Sequence, residues 1–268
     1  MRIPGRKVHA WNSSRNCSIR SHCVDSYASV LPLVGDVCSS ARVEAPSLGS
    51  WPRSSVQPVT SSPQSRDIHF LQEAALTGVE IREHDILRDP LETDYFDLVH
   101  CRCLLMHVSD PYRVTQRMAT ALKPGGWLVV EEPDDTALGP ANSSDPDAAR
   151  FYQANHALLN ELKANGVMDP FLGRRLGDLL IQLGLERVEC EGVTWTHRGG
   201  DVAARLMLET LALHEHEGRY SCADLKAARR ALSDPCSSFV DTTWFGAQGQ
   251  RPTAGIKQRT PPCPGDNQ

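Results

Sequence analysis

Three short apolar runs between Gly78 and Asp135, each ending in polar or acidic residues, constrain this chain's fold more than any other feature. They read G-V-E-I-R-E-H-D-I-L, then F-D-L-V-H-C-R-C-L-L-M-H-V-S-D-P, then A-L-K-P-G-G-W-L-V-V-E-E-P-D. Each run has the length of a strand, and sheets of this kind bind ligands beyond the carboxyl ends of their strands. Val79–Arg82, Phe96–Cys101 and Trp127–Val130 are the expected strands, the last wholly apolar, as suits a strand covered on both faces. Between the second and third, Asp110-Pro111 opens a helix with Asp as N-cap and Pro at the first position. Its stripe is Val114, Met118, Ala121 and Leu122, and Pro124-Gly125-Gly126 stops it.

Helical spacing continues over Asp145–Ala164, with Phe151, Leu158, Leu159 and Leu162 on one side, and over Pro170–Leu183, closed by Gly184. Leu185–Val193 alternates like a strand, Ala203–His214 is helical, and Phe239–Phe245 is a last β-rich run. Strand–helix alternation predicts an α/β fold with a mostly parallel sheet. Residues 1–66 are crowded with Ser, Arg and Pro and show no sustained period, so they are expected to add no regular first β-α-β unit. The organisation read from the sequence is therefore a degenerate region over 1–66, an α/β domain over 67–252 and a disordered tail over 253–268.

Bulk properties narrow the function classes. At 268 residues the chain can bury one sizeable domain with appendages, or two small ones. A net charge of −5 and a pI near 6.1 argue against a dedicated nucleic-acid partner. No apolar run approaches the roughly 18–20 residues that cross a bilayer. Arg2, Arg6 and Lys7 have no apolar stretch behind them, so no secretory signal is expected. Nine cysteines, odd in number and without framework spacing, fit reduced thiols in a cytoplasm. Oligomeric state is left open.

Four blocks in order then resemble the class I S-adenosylmethionine-dependent methyltransferases of the small-molecule, methyltransferase-domain type. They are E-H-D-I-L (Glu83–Leu87), F-D-L-V-H-C-R (Phe96–Arg102), M-H-V-S-D-P (Met106–Pro111) and L-K-P-G-G-W-L (Leu122–Leu128). The resemblance extends more loosely to F-G-A-Q-G-Q-R-P (Phe245–Pro252). It implies a Rossmann-like sheet, S-adenosylmethionine as cofactor, and methyl transfer to a small-molecule O, N or C nucleophile. It assigns Asp85 to the adenine amino group, with Ile86 lying against the ring. A carboxylate accepts from an exocyclic amine, and an aliphatic neighbour suits a flat base. The alternative for Asp85 is the cap of a turn. The same resemblance places His100, Cys101 and Arg102 beside the methionine moiety; the alternative is ordinary strand-end residues. His107 or Glu132 is available as a general base for acceptors that need one. The Asp145–Ala164 helix is the expected lid or acceptor-side element.

His100, Cys101, Cys103 and His107 also suggest a metal. Strand alternation sends His100 and Cys101 to opposite faces, and structural zinc usually takes paired ligands from two segments, so no metal is expected. In His214-Glu215-His216-Glu217 the i and i+2 residues of a helix diverge, and a solvated surface is the better reading.

One part of the family pattern is missing. The family needs a glycine-rich loop after its first strand, where backbone approaches the cofactor, and an acid ending its second strand for the ribose hydroxyls. The corresponding stretch, Val34–Arg66, contains no such loop. Read one frame away, junctions from Ser40 to Ala45 can encode G-A-G-G-G, and Ser55–Gln64 can encode a typical approach to the second strand. Residues from about 20 to 66 thus read as missing or frameshifted. Two expectations follow: weak or absent cofactor binding by the chain as written, and a competing identity as a catalytically inactive remnant that does not bind cofactor.

Overall fold

A computed structural model describes residues 39–40, 55–60, 79–142, 144–215 and 218–254, with side-chain surroundings for 84–142, 144–212 and 218–254. Of the two units into which the chain divides, the smaller, residues 1–31 and 45–51, lies outside these residues. Also outside them lie most of the frameshifted stretch, the tail from 255 onward, and His216 and Glu217.

Strands β1 (Ser39–Ser40), β2 (Ser55–Thr60) and β3 (Val79–Glu83) form one sheet in that order. β2 runs parallel to β3, whereas β1 is two residues long and antiparallel to β2. β2 lies within the span read as degenerate over 1–66, and its backbone as written pairs with β3.

The principal sheet has the order β4-β5-β10-β7, from β4 (Phe96–Arg102), β5 (Leu122–Asp134), β7 (Glu186–Val193) and β10 (Thr243–Gln250). β4 is parallel to β5, and β10 is antiparallel to both β5 and β7. Three of the four strands therefore point one way. β4 has no hydrogen-bonded neighbour on its far side among the described residues; β1 comes within 8 Å, Cα to Cα, without a ladder.

Helix α1 (Pro111–Ala121) has the cap its sequence specified: Asp110 accepts from Arg113 N at 2.9 Å. Val114, Met118 and Ala121 are buried against the sheet. The chain does not pause at Pro124-Gly125-Gly126 but enters β5 directly at Leu122. A Cβ on Gly126 would lie 3.0–3.1 Å from three carbonyl oxygens, those of Lys123, Asp97 and Phe96, so glycine lets β5 close against β4. The expected helix over 170–183 is shorter than its pattern: a 3-10 turn, Gly173–Arg175, precedes α3 (Leu176–Gln182). Leu172, Leu176 and Leu180 still enter the first core, with Val99, Cys101, Leu128 and Val130.

A second core lies in a helical layer. It is built from α2 (Pro146–Ala164), α4 (Val202–Glu215), α5 (Cys222–Ser233) and a small sheet, β6-β9-β8 (Gly139–Pro140, Ser238–Val240, Thr196–Arg198). Phe151, Tyr152, Leu211, Leu232 and Phe239 fill it, and Ala227, Ala228 and Ala231 let α5 approach closely. Burying each large side chain stabilises by about 1.5–3 kcal/mol. The sequence reading had no helix at α5, although Ser221 and Asp224 form a reciprocal capping box there. The last β-rich run divides at Asp241-Thr242, where Asp241 N bonds Trp195 O at 2.8 Å. Just before the expected tail, Arg251 N donates to Gly126 O at 2.8 Å.

Candidate functional site

The carboxyl ends of β4 and β5 lie side by side, with Arg102 opposite Glu131 and Cys101 opposite Val130. Alternation divides the H-C-R triplet. Cys101 is 1% exposed and points into the first core. His100 and Arg102 share the other face, where Glu131 lies 3.5 Å from His100 Nε2 and 3.6 Å from Arg102 Nε. The Arg102 guanidinium also sits over the Trp244 ring, 4.7 Å from its centroid. Of the three residues expected beside the methionine moiety, two therefore come together in a charged cluster, and the third is core.

Burial pushes the Cys101 thiol well above its ordinary value, reinforced by Glu132, and pushes Cys103 up to about 12. Neither is a thiolate near neutral pH, so neither is poised as a nucleophile or soft metal ligand. Among the described residues no group of three or more His, Cys, Asp or Glu side chains has a metal-holding arrangement.

Glu132 follows Glu131 and so faces the opposite way, with none of its surface exposed. Its carboxylate accepts from three consecutive backbone amides: Leu104 at 2.9 Å, Leu105 at 2.7 Å and Met106 at 3.4 Å. Those amides belong to the turn after β4, where Cys103 adopts a φ of 51° and Leu105–His107 forms a 3-10 helix. Burial raises the carboxyl to about 7 against the lowering pull of the three N–H groups. The reading of Glu132 as general base is corrected by this geometry: a fully buried carboxylate committed to three amides touches no acceptor. His107, held below its ordinary value by burial, is largely buried at the end of the same turn.

On β3's side, Asp85 Oδ1 accepts from Leu87 N at 2.9 Å, and the Arg88 guanidinium lies 3.5 Å from Oδ2. Asp85 thus does cap a turn, and its side chain keeps 31% of its surface exposed. Ile86 is 5% exposed and packs in the first core, leaving little surface for a ring. The neighbouring His84 has a buried Nε2 without a hydrogen-bond partner among the described residues.

The extended end of β5 supplies acids that the sequence reading passed over. Asp134, buried, pairs with Arg174 in a two-point contact at 2.7 and 2.9 Å. The 3-10 turn carrying Arg174 reaches β5 because Gly173 has no Cβ; one there would stand 2.8 Å from Glu132 O. Asp135 faces the helical layer and accepts from Thr242 Oγ1 at 2.5 Å. Burial raises Asp135 to about 6, with Asp134 and Asp241 adding to the rise. The E-E-P-D run was the available signal, since a strand that ends in acids brings several carboxylates to one sheet end.

These residues fit S-adenosylmethionine in part. The cluster of His100, Arg102 and Glu131 offers both charges to a zwitterionic amino-acid group. Asp85 and the orphaned His84 Nε2 offer an acceptor and a polar ring atom just after the end of β3. The position of a glycine-rich loop falls outside the described residues.

Comparison with known proteins gives three results. Residues 56–130 match the model of the methyltransferase domain family. The methyltransferase str2 of Strobilurus tenacellus is 38% identical over 87 residues, 32% of this chain and 30% of its own length. The ubiquinone biosynthesis O-methyltransferase of Paraburkholderia phymatum is 35% identical over 65 residues, 23% of this chain and 26% of its own. The chain thus spans less than a third of these two curated relatives. Among solved structures, a methyltransferase of Bacillus halodurans superposes with a TM-score of 0.41 at 17% identity, covering 69% of this chain and 77% of its own. The family match begins at residue 56 and so takes in β2 as written.

Proposed function

Residues 56–130 of this chain match the methyltransferase domain family, whose cofactor is S-adenosylmethionine, and on that premise we propose that the chain transfers a methyl group to a small-molecule acceptor. The observation that carries the reading is the family match ending on β5, beside the paired ends of β4 and β5 and their charged cluster of His100, Arg102 and Glu131. A relative named for O-methylation in ubiquinone biosynthesis supports a small organic acceptor.

In this reading His100, Arg102 and Glu131 hold the amino-acid end of the cofactor, and Asp85 accepts from the adenine amine. Ile86 supports that turn from the core side, and Cys101 supports β4 from the same core. The bound cofactor supplies an activated sulfonium methyl; the chain's own residues position the two reactants and exclude water. The helical layer around α2 forms the acceptor side, with Asp135 at its junction with the sheet. The five cysteines among the described residues are free thiols, which supports a reducing, cytoplasmic setting.

A second reading, a remnant that does not bind cofactor, is favoured by one observation: Val34–Arg66 contains no glycine-rich loop. Calorimetric titration of the purified chain with S-adenosylmethionine separates the two. Saturable heat displaced by S-adenosylhomocysteine supports the enzyme; a flat trace supports the remnant.

A further inference from the structure

We infer that Glu132 is a positioning residue, whose buried carboxylate fixes the turn after β4 and so sets the strand-end backbone on which the cofactor site depends. The inference rests on the methyltransferase reading above for its functional half and on geometry for the rest. Three consecutive amides converge on one acceptor only where the chain turns sharply. The left-handed φ of 51° at Cys103 and the 3-10 helix Leu105–His107 provide that turn.

A planar peptide carries its C=O opposite its N–H. Tying the amides of Leu104, Leu105 and Met106 to Glu132 therefore turns the carbonyls of Cys103, Leu104 and Leu105 away from it. Two of those carbonyls are used inside the turn, Leu104 O by His107 N at 3.1 Å and Leu105 O by Val108 N at 3.4 Å. The third, on Cys103, turns away from Glu132 just beyond the end of β4. Cys103 N meanwhile donates to Glu131 O at 3.0 Å, so the turn is bound to β5 on both sides.

A buried carboxylate is costly unless charge-assisted donors compensate it, and an unsatisfied trio of buried amides is costly in turn. Each therefore explains the other. An apolar residue in Glu132's place would leave the three donors unpaired and the turn free to relax. Glutamine keeps one acceptor oxygen but turns an NH₂ group toward an amide that also donates.

The test uses the full chain, Glu132→Gln, Glu132→Asp as a second variant, and Asp110→Ala as a control that destabilises α1 elsewhere. Amide hydrogen exchange and amide chemical shifts of Leu104, Leu105 and Met106 report the contact itself; calorimetry with S-adenosylmethionine reports the site. Expected for Glu132→Gln are exchange about tenfold faster at those three amides and binding about tenfold weaker, the loss of roughly one charge-assisted hydrogen bond. Glu132→Asp, one methylene shorter, should show the same local signature. Asp110→Ala should lower the melting temperature yet leave affinity and those amides unchanged. Unaltered exchange at Leu104–Met106 in the Glu132 variants overturns the inference, and so does unaltered affinity. If the unaltered chain shows no saturable binding, the methyltransferase reading fails, and the exchange data alone decide the role of Glu132.

Discussion

The two cores of this protein are built on different principles. The first, under the principal sheet, encloses the charged groups Glu132 and Asp134 at the end of β5. Each is compensated, Glu132 by three backbone amides and Asp134 by Arg174. The second core, in the helical layer, is aromatic and alanine-rich: Phe151, Tyr152 and Phe239 against Ala227, Ala228 and Ala231. Its ion pairs, Arg150–Asp224 at 2.8 Å and Arg230–Asp147 at 2.8 Å, lie on the outside. The difference teaches where chemistry sits. Costly buried charge is concentrated where strands of the sheet end, whereas the layer above it is held by shape and apolar area.

The largest effect expected on that contrast comes from Phe151→Ala, which removes a side chain 1% exposed from the second core. It should cost about 3–5 kcal/mol. In amide exchange the loss should fall on α2, α4 and α5 and spare β4 and β5; an equal loss in the sheet would show that the two cores are one.

Next is the pH dependence of the first core. Glu132 is raised from 4.5 to about 7 in the folded chain. A raised carboxyl favours the folded state while protonated, so this contribution is complete below about 4.5 and is lost as pH rises toward 7. At 1.36 kcal/mol per unit the swing is on the order of 3 kcal/mol. Asp135, raised to about 6, acts in the same direction, while Asp134, Asp201 and Asp224 are lowered and act in the opposite one. The difference in unfolding free energy between the unaltered chain and Glu132→Gln isolates the residue's share. That difference should fall between pH 5 and 7, and a pH-independent difference would refute the assignment.

Arg174→Met should cost about 2 kcal/mol, because it leaves the Asp134 carboxylate buried with only backbone donors and Thr136. Asp134→Asn with Arg174 intact should cost less, since the freed guanidinium, half exposed, returns to water. Denaturant titrations of the pair give the order. Smallest is Asp110→Ala, about 1 kcal/mol from the lost cap of α1.

The sequence made the alternation of β4 legible, and with it the division of Cys101 from His100 and Arg102. The cap and stripe of α1 were equally plain, since both are encoded within one turn of the residues concerned. The buried contact of Glu132 was not legible, because its partners are backbone amides 26–28 residues away and backbone leaves no mark in sequence. Asp134 was missed for a related reason: Arg174 lies 40 residues on, and its approach depends on Gly173. Helix α5 could have been found, since Ser221-x-x-Asp224 precedes Leu225, Ala228 and Leu232 at helical spacing. The split between β9 and β10 could not, because it is set by a tertiary bond to Trp195.

The most direct test of the account is a calorimetric titration of the full chain with S-adenosylmethionine, set beside a version with G-A-G-G-G and its downstream frame restored. The account predicts saturable one-site binding by both, displaced by S-adenosylhomocysteine. The unaltered chain should bind on the order of a hundredfold more weakly, the equivalent of a few lost hydrogen bonds. A restored version that takes up no cofactor, or one no tighter than the unaltered chain, would contradict it.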